Sequence, residues 1–170
     1  MTRHKITLAA VLAIAAGSAA ACGPGQPRAA MNQAFLHRLN RVCTADFAVM
    51  INTSKDPFPY PDFKPDDPQP GMLPKVGRFF EPNVAVWQRL PGQLGTLGEP
   101  PTLAAGWDRL RQLEAKSNAN GIRQVHAALA GDARTFTATY HIAHTTYQQV
   151  QDAEQQAGLP ASSPCQKVFS

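Results

Sequence analysis

Apolar residues recur at steps of three and four along four separate stretches of this chain, which is the spacing of one face of an α-helix. These stretches predict helices over residues 29–51, 73–97, 103–130 and 133–157, with Thr102 as the cap of the third. No stretch alternates apolar and polar residues as a half-buried strand does. The pattern therefore predicts an all-α protein.

A proline-rich stretch, residues 55–72, separates the first two helices, and we call it the crossover. Proline fixes φ and has no N–H to donate, which excludes both helix and central strand here. The interleaved aromatic residues Phe58, Tyr60 and Phe63 are expected to lie on the body of the protein. We predict a four-helix bundle in a single domain, residues 29–170, in which the crossover is a connector or, alternatively, a recognition segment for a partner.

Three local features refine this prediction. Pro82 and Pro91 lie inside the second helix and predict a kink or break near each. The polar stretch 117–121 has low helix propensity, so the third helix is expected to be weakest there. Gly131 and Asp132 form a stop-and-cap pair between the third and fourth helices.

The N-terminus has the three parts of a secretory signal peptide. Arg3 and Lys5 precede an apolar run, and small residues follow it, so residues 1–21 are expected to be removed on export. The run is too short for a membrane-spanning helix, which needs about 20 residues. The next residue is Cys22, and residues 19–22 resemble the lipobox of bacterial lipoproteins, although Ala19 stands where leucine is usual. We expect a lipid on Cys22 and a flexible spacer over residues 22–28; a soluble secreted protein with a free Cys22 is the alternative.

The three cysteines and the charge limit the remaining possibilities. Acylation of Cys22 leaves Cys43 and Cys165, which are expected to pair in an oxidising compartment, whereas two buried free thiols are the alternative. The formal net charge of +4 falls to +2 once Arg3 and Lys5 are removed. The remaining basic residues are scattered singly, so nucleic acid is not an expected partner.

Motifs of enzymes are absent from the sequence. It contains no Gly-x-Ser-x-Gly elbow, no phosphate-binding glycine loop and no His-Glu-x-x-His, so we predict a protein that is not an enzyme and has no cofactor. His141 and His144 are one helical turn apart and are a candidate metal pair, which would need a further ligand such as His37 or His126. The crossover also carries a set of acidic residues that a hard cation could use, although they lack the spacing of a calcium loop: Asp56, Asp62, Asp66 and Asp67.

Aromatic residues of the helices form the third candidate site. Bundles bind ligands between their helices, and these side chains could line such a cavity or simply form the core. Ser117 and Asn120 could add polar anchors. The aromatic candidates are Phe79, Phe80, Trp87, Trp107, Tyr140 and Tyr147.

Several short features together resemble one family. They are Cys22 after the signal, Cys43 on a helix, the crossover, residues 73–76, Trp107 after a Pro-Pro pair, Gly131-Asp132, and residues 157–159 before Cys165. Over nearly all of the mature chain this order resembles lipoproteins of mycobacteria and related actinobacteria, many of which have no characterised function. The resemblance implies helices, a Cys43–Cys165 bridge and a cell-envelope location, and it supplies no catalytic residue. Residues 160–164 form a longer insertion before Cys165 than the resemblance leads one to expect.

The function expected from these features is a non-enzymatic lipoprotein of the cell envelope. It would be anchored on the extracytoplasmic face of the membrane and bind a small ligand or a protein partner there. One alternative is a metal-binding protein that uses His141 and His144. Another is a structural surface protein without a ligand.

Overall fold

The computed structural model describes residues 32–53, 60–69 and 71–169. The predicted signal peptide, the spacer with Cys22, and the crossover residues Asp56 and Phe58 lie outside these ranges. The described residues form five helices and no strand: α1 (Gln33–Thr53), α2 (Leu73–Thr96), α3 (Ala104–Leu129), α4 (Ala133–Gln156) and α5 (Cys165–Phe169). The prediction of an all-α bundle is confirmed, and the short α5 is an element that the sequence patterns did not predict.

The helices bury two apolar clusters at opposite ends of the bundle. α3 packs between α2 and α4, while α1 packs on α2 and α5. We call the larger cluster the disulfide end; its members come from α1, α5 and the adjoining ends of α2, α3 and α4, and include Phe35, Leu39, Leu90, Trp107 and Val150. We call the smaller cluster the crossover end; it consists of Leu73, Val76, Ala127, Ala128 and Phe136, with Tyr60 and Phe63 of the crossover packed against it.

The starts of the helices depend on local hydrogen bonds. α1 begins later than predicted because the Asn32 side chain accepts hydrogen bonds from the backbone N–H groups of Ala34 and Phe35, at 2.9 and 3.4 Å. The prediction of Thr102 as the cap of α3 was wrong: Leu103 occupies that position in the left-handed region, with φ 66°. The predicted Asp132 cap is confirmed, since its Oδ1 accepts from the Thr135 N–H at 3.0 Å.

Neither expected weak point interrupts a helix. α2 continues through Pro82 and Pro91, so of the kink or break expected near them the break does not occur. Val86 and Leu90, on the same helix, are fully buried, and such burial offsets the backbone hydrogen bonds that proline removes. α3 likewise continues through residues 117–121, where Gly121 allows close contact with α2: a Cβ at this position would lie 3.2 Å from the Trp87 ring.

The disulfide joins α1 to the C-terminal end of the chain. Cys43 and Cys165 are bonded, with their Cα atoms 4.9 Å apart, and both are fully buried. The longer insertion, residues 160–164, accommodates the bridge by turning back toward α1, where the Ser163 hydroxyl donates to Asn40 Oδ1 at 2.7 Å. Within the part of the chain that the structure describes, no helix is both long and apolar enough to cross a membrane.

Candidate ligand cavity

A cavity of ≈ 530 Å³ lies between α2, α3 and α4 on the side that the crossover covers. Its wall is mostly apolar, with Phe80 and Trp87 from α2 and Phe136 and Tyr140 from α4. Met50, near the C-terminal end of α1, and Phe63 of the crossover also line it. Within residues 32–50, 60–69 and 71–166, no side chain that lines this cavity carries a charge.

Small residues determine how closely the helices approach each other around the cavity. A Cβ on Gly77 would lie 2.7 Å from the Leu129 backbone nitrogen, so glycine is required where α2 crosses the end of α3. Gly121 and Ala143 contribute wall positions without filling the space. The cavity therefore exists because small residues stand between large aromatic ones.

Three of the six predicted aromatic residues line this cavity: Phe80, Trp87 and Tyr140. Phe79 instead packs edge to face on Phe80, with ring centroids 5.0 Å apart. Trp107 lies in the core of the disulfide end, where its Nε1–H donates to the Gly98 carbonyl at 3.1 Å. Ser117 and Asn120 do not line the cavity either.

Tyr147 does not line this cavity, and its side chain is 39% exposed. The buried face of α4 passes instead through Thr139 and Thr146. The Thr139 hydroxyl donates to the Thr135 carbonyl and the Thr146 hydroxyl to the Ile142 carbonyl, both at 2.8 Å. These bonds within the helix satisfy the hydroxyls, so threonine is buried at positions that a hydrophobicity pattern assigns to solvent.

The described part of the crossover, residues 60–69, lies on the body as predicted. Phe63 packs edge to face on Phe136, with ring centroids 5.6 Å apart. The Thr137 hydroxyl donates to the Pro65 carbonyl at 3.1 Å, which fixes the crossover to α4. Phe63 and Pro65 both line the cavity, so the crossover is part of its wall.

The predicted metal pair lies on the surface. His141 and His144 are both exposed, and the His141 Nε2 is 3.4 Å from the Asp66 carboxylate. His37 and His126 are also exposed, as are the crossover residues Asp62 and Asp67. Among the residues with described positions, no three His, Cys, Asp or Glu side chains are grouped to hold a metal ion.

Sequence reasoning missed the buried acidic residues. Asp46, only 1% exposed, pairs with Arg89 across α1 and α2, and both the Nε and the Nη2 of Arg89 donate to its Oδ1, at 3.0 and 2.6 Å. Glu114 of α3 and Glu154 of α4 are 1% and 5% exposed. Burial and the nearby Glu154 carboxylate raise the pKa of Glu114 well above its ordinary value, and burial raises the pKa of Glu154 to about 7.

A signal for these residues was present in the sequence. Glu114 follows Trp107 and Leu110 at steps of seven and four, and Glu154 follows Val150 by four. Each is therefore an acidic residue at an apolar position of its helix, which is where a buried carboxyl group is expected.

Comparisons with known proteins identified no relative of this chain: no family model, no curated protein and no solved structure matches it. The resemblance to actinobacterial lipoproteins therefore depends on the sequence features alone.

Proposed function

We propose that this chain is an exported lipoprotein of the cell envelope that binds a small, uncharged and largely apolar molecule between α2, α3 and α4. The observation that carries this proposal is the cavity of ≈ 530 Å³ lined by Phe80, Trp87 and Tyr140. The proposal assigns no catalytic step to the protein. Its ligand would be held by burial of apolar surface and by a few hydrogen bonds.

The size and lining of the cavity favour such an occupant. Small-molecule sites usually enclose about 300–1,000 Å³ and are mainly apolar, with a few polar groups that orient the ligand. Here Asn83 and Gln124 supply amides and Tyr140 supplies a hydroxyl. A charged ligand would have no opposite charge among the lining residues that the structure describes, and burying an unpaired charge is costly.

The cysteines support the proposed location. The Cys43–Cys165 bridge uses two of the three cysteines, and disulfides persist mainly in oxidising compartments outside the cytoplasm. Cys22 is then the remaining cysteine, directly after a signal-like segment. Both features are consistent with an exported lipoprotein.

Native mass spectrometry of the protein extracted from membranes tests the ligand. We expect non-covalent excess mass that is lost on denaturation. The Ala143→Leu variant, which fills the cavity, should reduce the occupied fraction several-fold, whereas Ala138→Leu, on the exposed side of α4, should leave it unchanged. Equal occupancy in the two variants, or no excess mass in the wild type, would contradict the cavity as a ligand site.

The same spectra test the anchor separately. We expect covalent excess mass on the N-terminal peptide of the wild type and none in Cys22→Ala, which should leave the membrane fraction. Unmodified wild-type protein would instead make this a soluble secreted protein, without affecting the ligand result.

A further inference from the structure

A second, more polar groove lies toward the C-terminal end of α4, between α1, α4 and residues 161–166. It has a volume of ≈ 850 Å³ and shares no lining residue with the apolar cavity. Thr44 and Phe47 of α1 form one wall, Tyr147 and Gln151 of α4 the other, and Glu154 lies on α4 one turn beyond Gln151. The groove therefore combines two aromatic rings, neutral polar groups and one carboxyl group.

Glu154 lines this groove although it is only 5% exposed, and its Oε1 has no hydrogen-bond partner. Behind it, Glu114 is 1% exposed, and its Oε1 has no partner either. Two neighbouring carboxyl groups are thus buried without a salt bridge to either one in the described part of the chain. Such a pair requires a proton or a positive charge, because unpaired buried carboxylates are unstable.

We propose that this groove binds a primary alkylammonium ion, whose –NH₃⁺ group donates hydrogen bonds to the Glu154 carboxylate while its carbon chain lies against Phe47 and Tyr147. Aromatic rings attract cations and also cover the methylene groups next to them. Gln151 Nε2 donates to the Tyr147 hydroxyl at 2.7 Å, which holds the tyrosine along the groove. The site would be independent of the apolar cavity and goes beyond the function proposed above.

The groove fits an organic ammonium better than a metal ion. A divalent cation needs several oxygen ligands with substantial negative charge, whereas Glu154 is the one acidic residue among the described residues that line the groove. No group of three acidic, histidine or cysteine side chains suited to a metal occurs within residues 32–53, 60–69 and 71–169. A quaternary ammonium has no N–H to donate and would leave the carboxylate without a hydrogen bond.

Binding should depend on pH, since the ammonium ion replaces a proton. Among the residues whose side chains the structure describes, the titratable groups near Glu154 are Glu114 on α3 and the Tyr147 phenol on α4, and the lining residues of α1 and of segment 161–166 are uncharged. Arg111, three residues before Glu114, donates instead to Asp108 at 2.8 Å. Because burial raises the pKa of Glu154 to about 7, the ammonium should bind more tightly as the pH rises through that value.

The test is an NMR titration of the full-length protein with n-butylammonium chloride at constant ionic strength. At about pH 8 we expect saturable shifts of the Gln151 and Gln155 amide signals, and roughly tenfold or greater weakening in Glu154→Gln, because a hydrogen bond to a charged group contributes about 1.5–3 kcal/mol. Asp152→Asn is the matched control: it removes one negative charge from an exposed position of the same helix and should bind normally. Choline and calcium chloride should each bind at least several-fold more weakly than n-butylammonium.

Several results would overturn this site. They are the absence of saturable shifts, equal affinity of the wild type and Glu154→Gln, and equal affinity for choline or calcium, which would indicate unspecific attraction of cations. Glu154→Gln keeps the shape of the side chain and removes a buried carboxyl group, so a cooperative thermal transition in this variant will separate lost binding from lost folding.

Discussion

At the disulfide end, Trp107 and Phe35 meet edge to face with ring centroids 5.0 Å apart and neither ring is exposed, whereas at the crossover end Trp87 and Phe80 face a cavity of ≈ 530 Å³. The same three helices, α2, α3 and α4, supply both ends. The difference lies in what covers them. α1 and α5, which are joined by the disulfide, cover the disulfide end, whereas the proline-rich crossover forms part of the cavity wall at the crossover end.

Packing of α2, α3 and α4 alone does not fill the interior of this bundle at both ends. Where α1 and α5 add their own apolar residues, Phe35, Leu39 and Trp107 are fully buried. Where the crossover supplies only a few rings and proline residues, space remains. We therefore expect the disulfide end to carry most of the stability and the crossover end to carry the site for an apolar ligand.

Removing the disulfide should have the largest effect on this asymmetry. The bridge closes a loop with a sequence separation of 122 residues. The Cys43→Ala/Cys165→Ala double variant should lose about 4–5 kcal/mol of unfolding free energy in the chain-entropy model, measured by urea denaturation. Amide hydrogen exchange should accelerate first in α1 and α5. Equal acceleration at the crossover end would show that the two ends do not differ in the way proposed.

The two tryptophans provide a matched comparison of the ends. Trp107→Ala should cost roughly 3–5 kcal/mol, because it empties a fully buried position and leaves the Gly98 carbonyl without its partner. Trp87→Ala should cost about 1–2 kcal/mol, since one side of this half-buried ring already faces the cavity. Chemical denaturation of both variants measures the difference, and equal losses would contradict the distinction between a filled and an open end.

The buried carboxyl groups predict an unusual dependence of stability on pH. The pKa of Glu154 is raised from 4.5 to about 7 in the folded protein, so between these values the folded state binds more protons than the unfolded state. The contribution of Glu154 to stability should therefore fall as the pH rises through this window. Glu114, whose pKa is also raised, extends this loss of stability to higher pH.

Replacement of Glu154 should weaken that dependence. At about pH 8, Glu154→Gln should raise the unfolding free energy by about 2 kcal/mol, a figure reduced for partial contact with solvent, and make the profile less steep between pH 5 and 8, with the remaining slope due to Glu114. Asp152→Asn serves as the exposed control, with little expected change. A wild-type profile that rises between pH 5 and 8, with no gain in Glu154→Gln, would contradict this account.

The apolar spacing predicts the helices well because it reflects one-sided burial. Phe35, Leu39 and Cys43 follow each other by four residues and are all fully buried, as the pattern requires. Glu114 and Glu154 occupy positions of the same kind, yet their charge directs attention away from the core. The spacing therefore indicates that these two positions are buried, although the acidic residue type alone suggests that they are exposed.

The cavity could not be derived in the same way. Its volume depends on the separation of α2 and α3, which the contact of Gly77 with the Leu129 backbone limits, and one sequence does not reveal which glycine meets which backbone. Tyr147 shows the same limit: Phe136 and Glu154, eleven residues before it and seven after it on the same face of α4, are buried, whereas its own side chain is 39% exposed. Fold class follows from local spacing, whereas the shape of a site depends on contacts between distant segments.

The smallest expected effect concerns the attachment of the crossover itself. Thr137→Val keeps the shape of the side chain but removes the hydrogen bond to the Pro65 carbonyl, and should cost about 1 kcal/mol. Asp66→Asn, which alters only the exposed contact with His141, should cost less, because surface ion pairs contribute little. Hydrogen exchange of the Phe63 and Asp67 amides, which donate to carbonyls within the crossover, measures both. If the crossover is a true wall of the cavity, Thr137→Val should also weaken ligand retention, while the amides of the disulfide end keep their protection from exchange. A larger loss of protection in Asp66→Asn than in Thr137→Val would mean that the surface ion pair, rather than the threonine, holds the crossover in place.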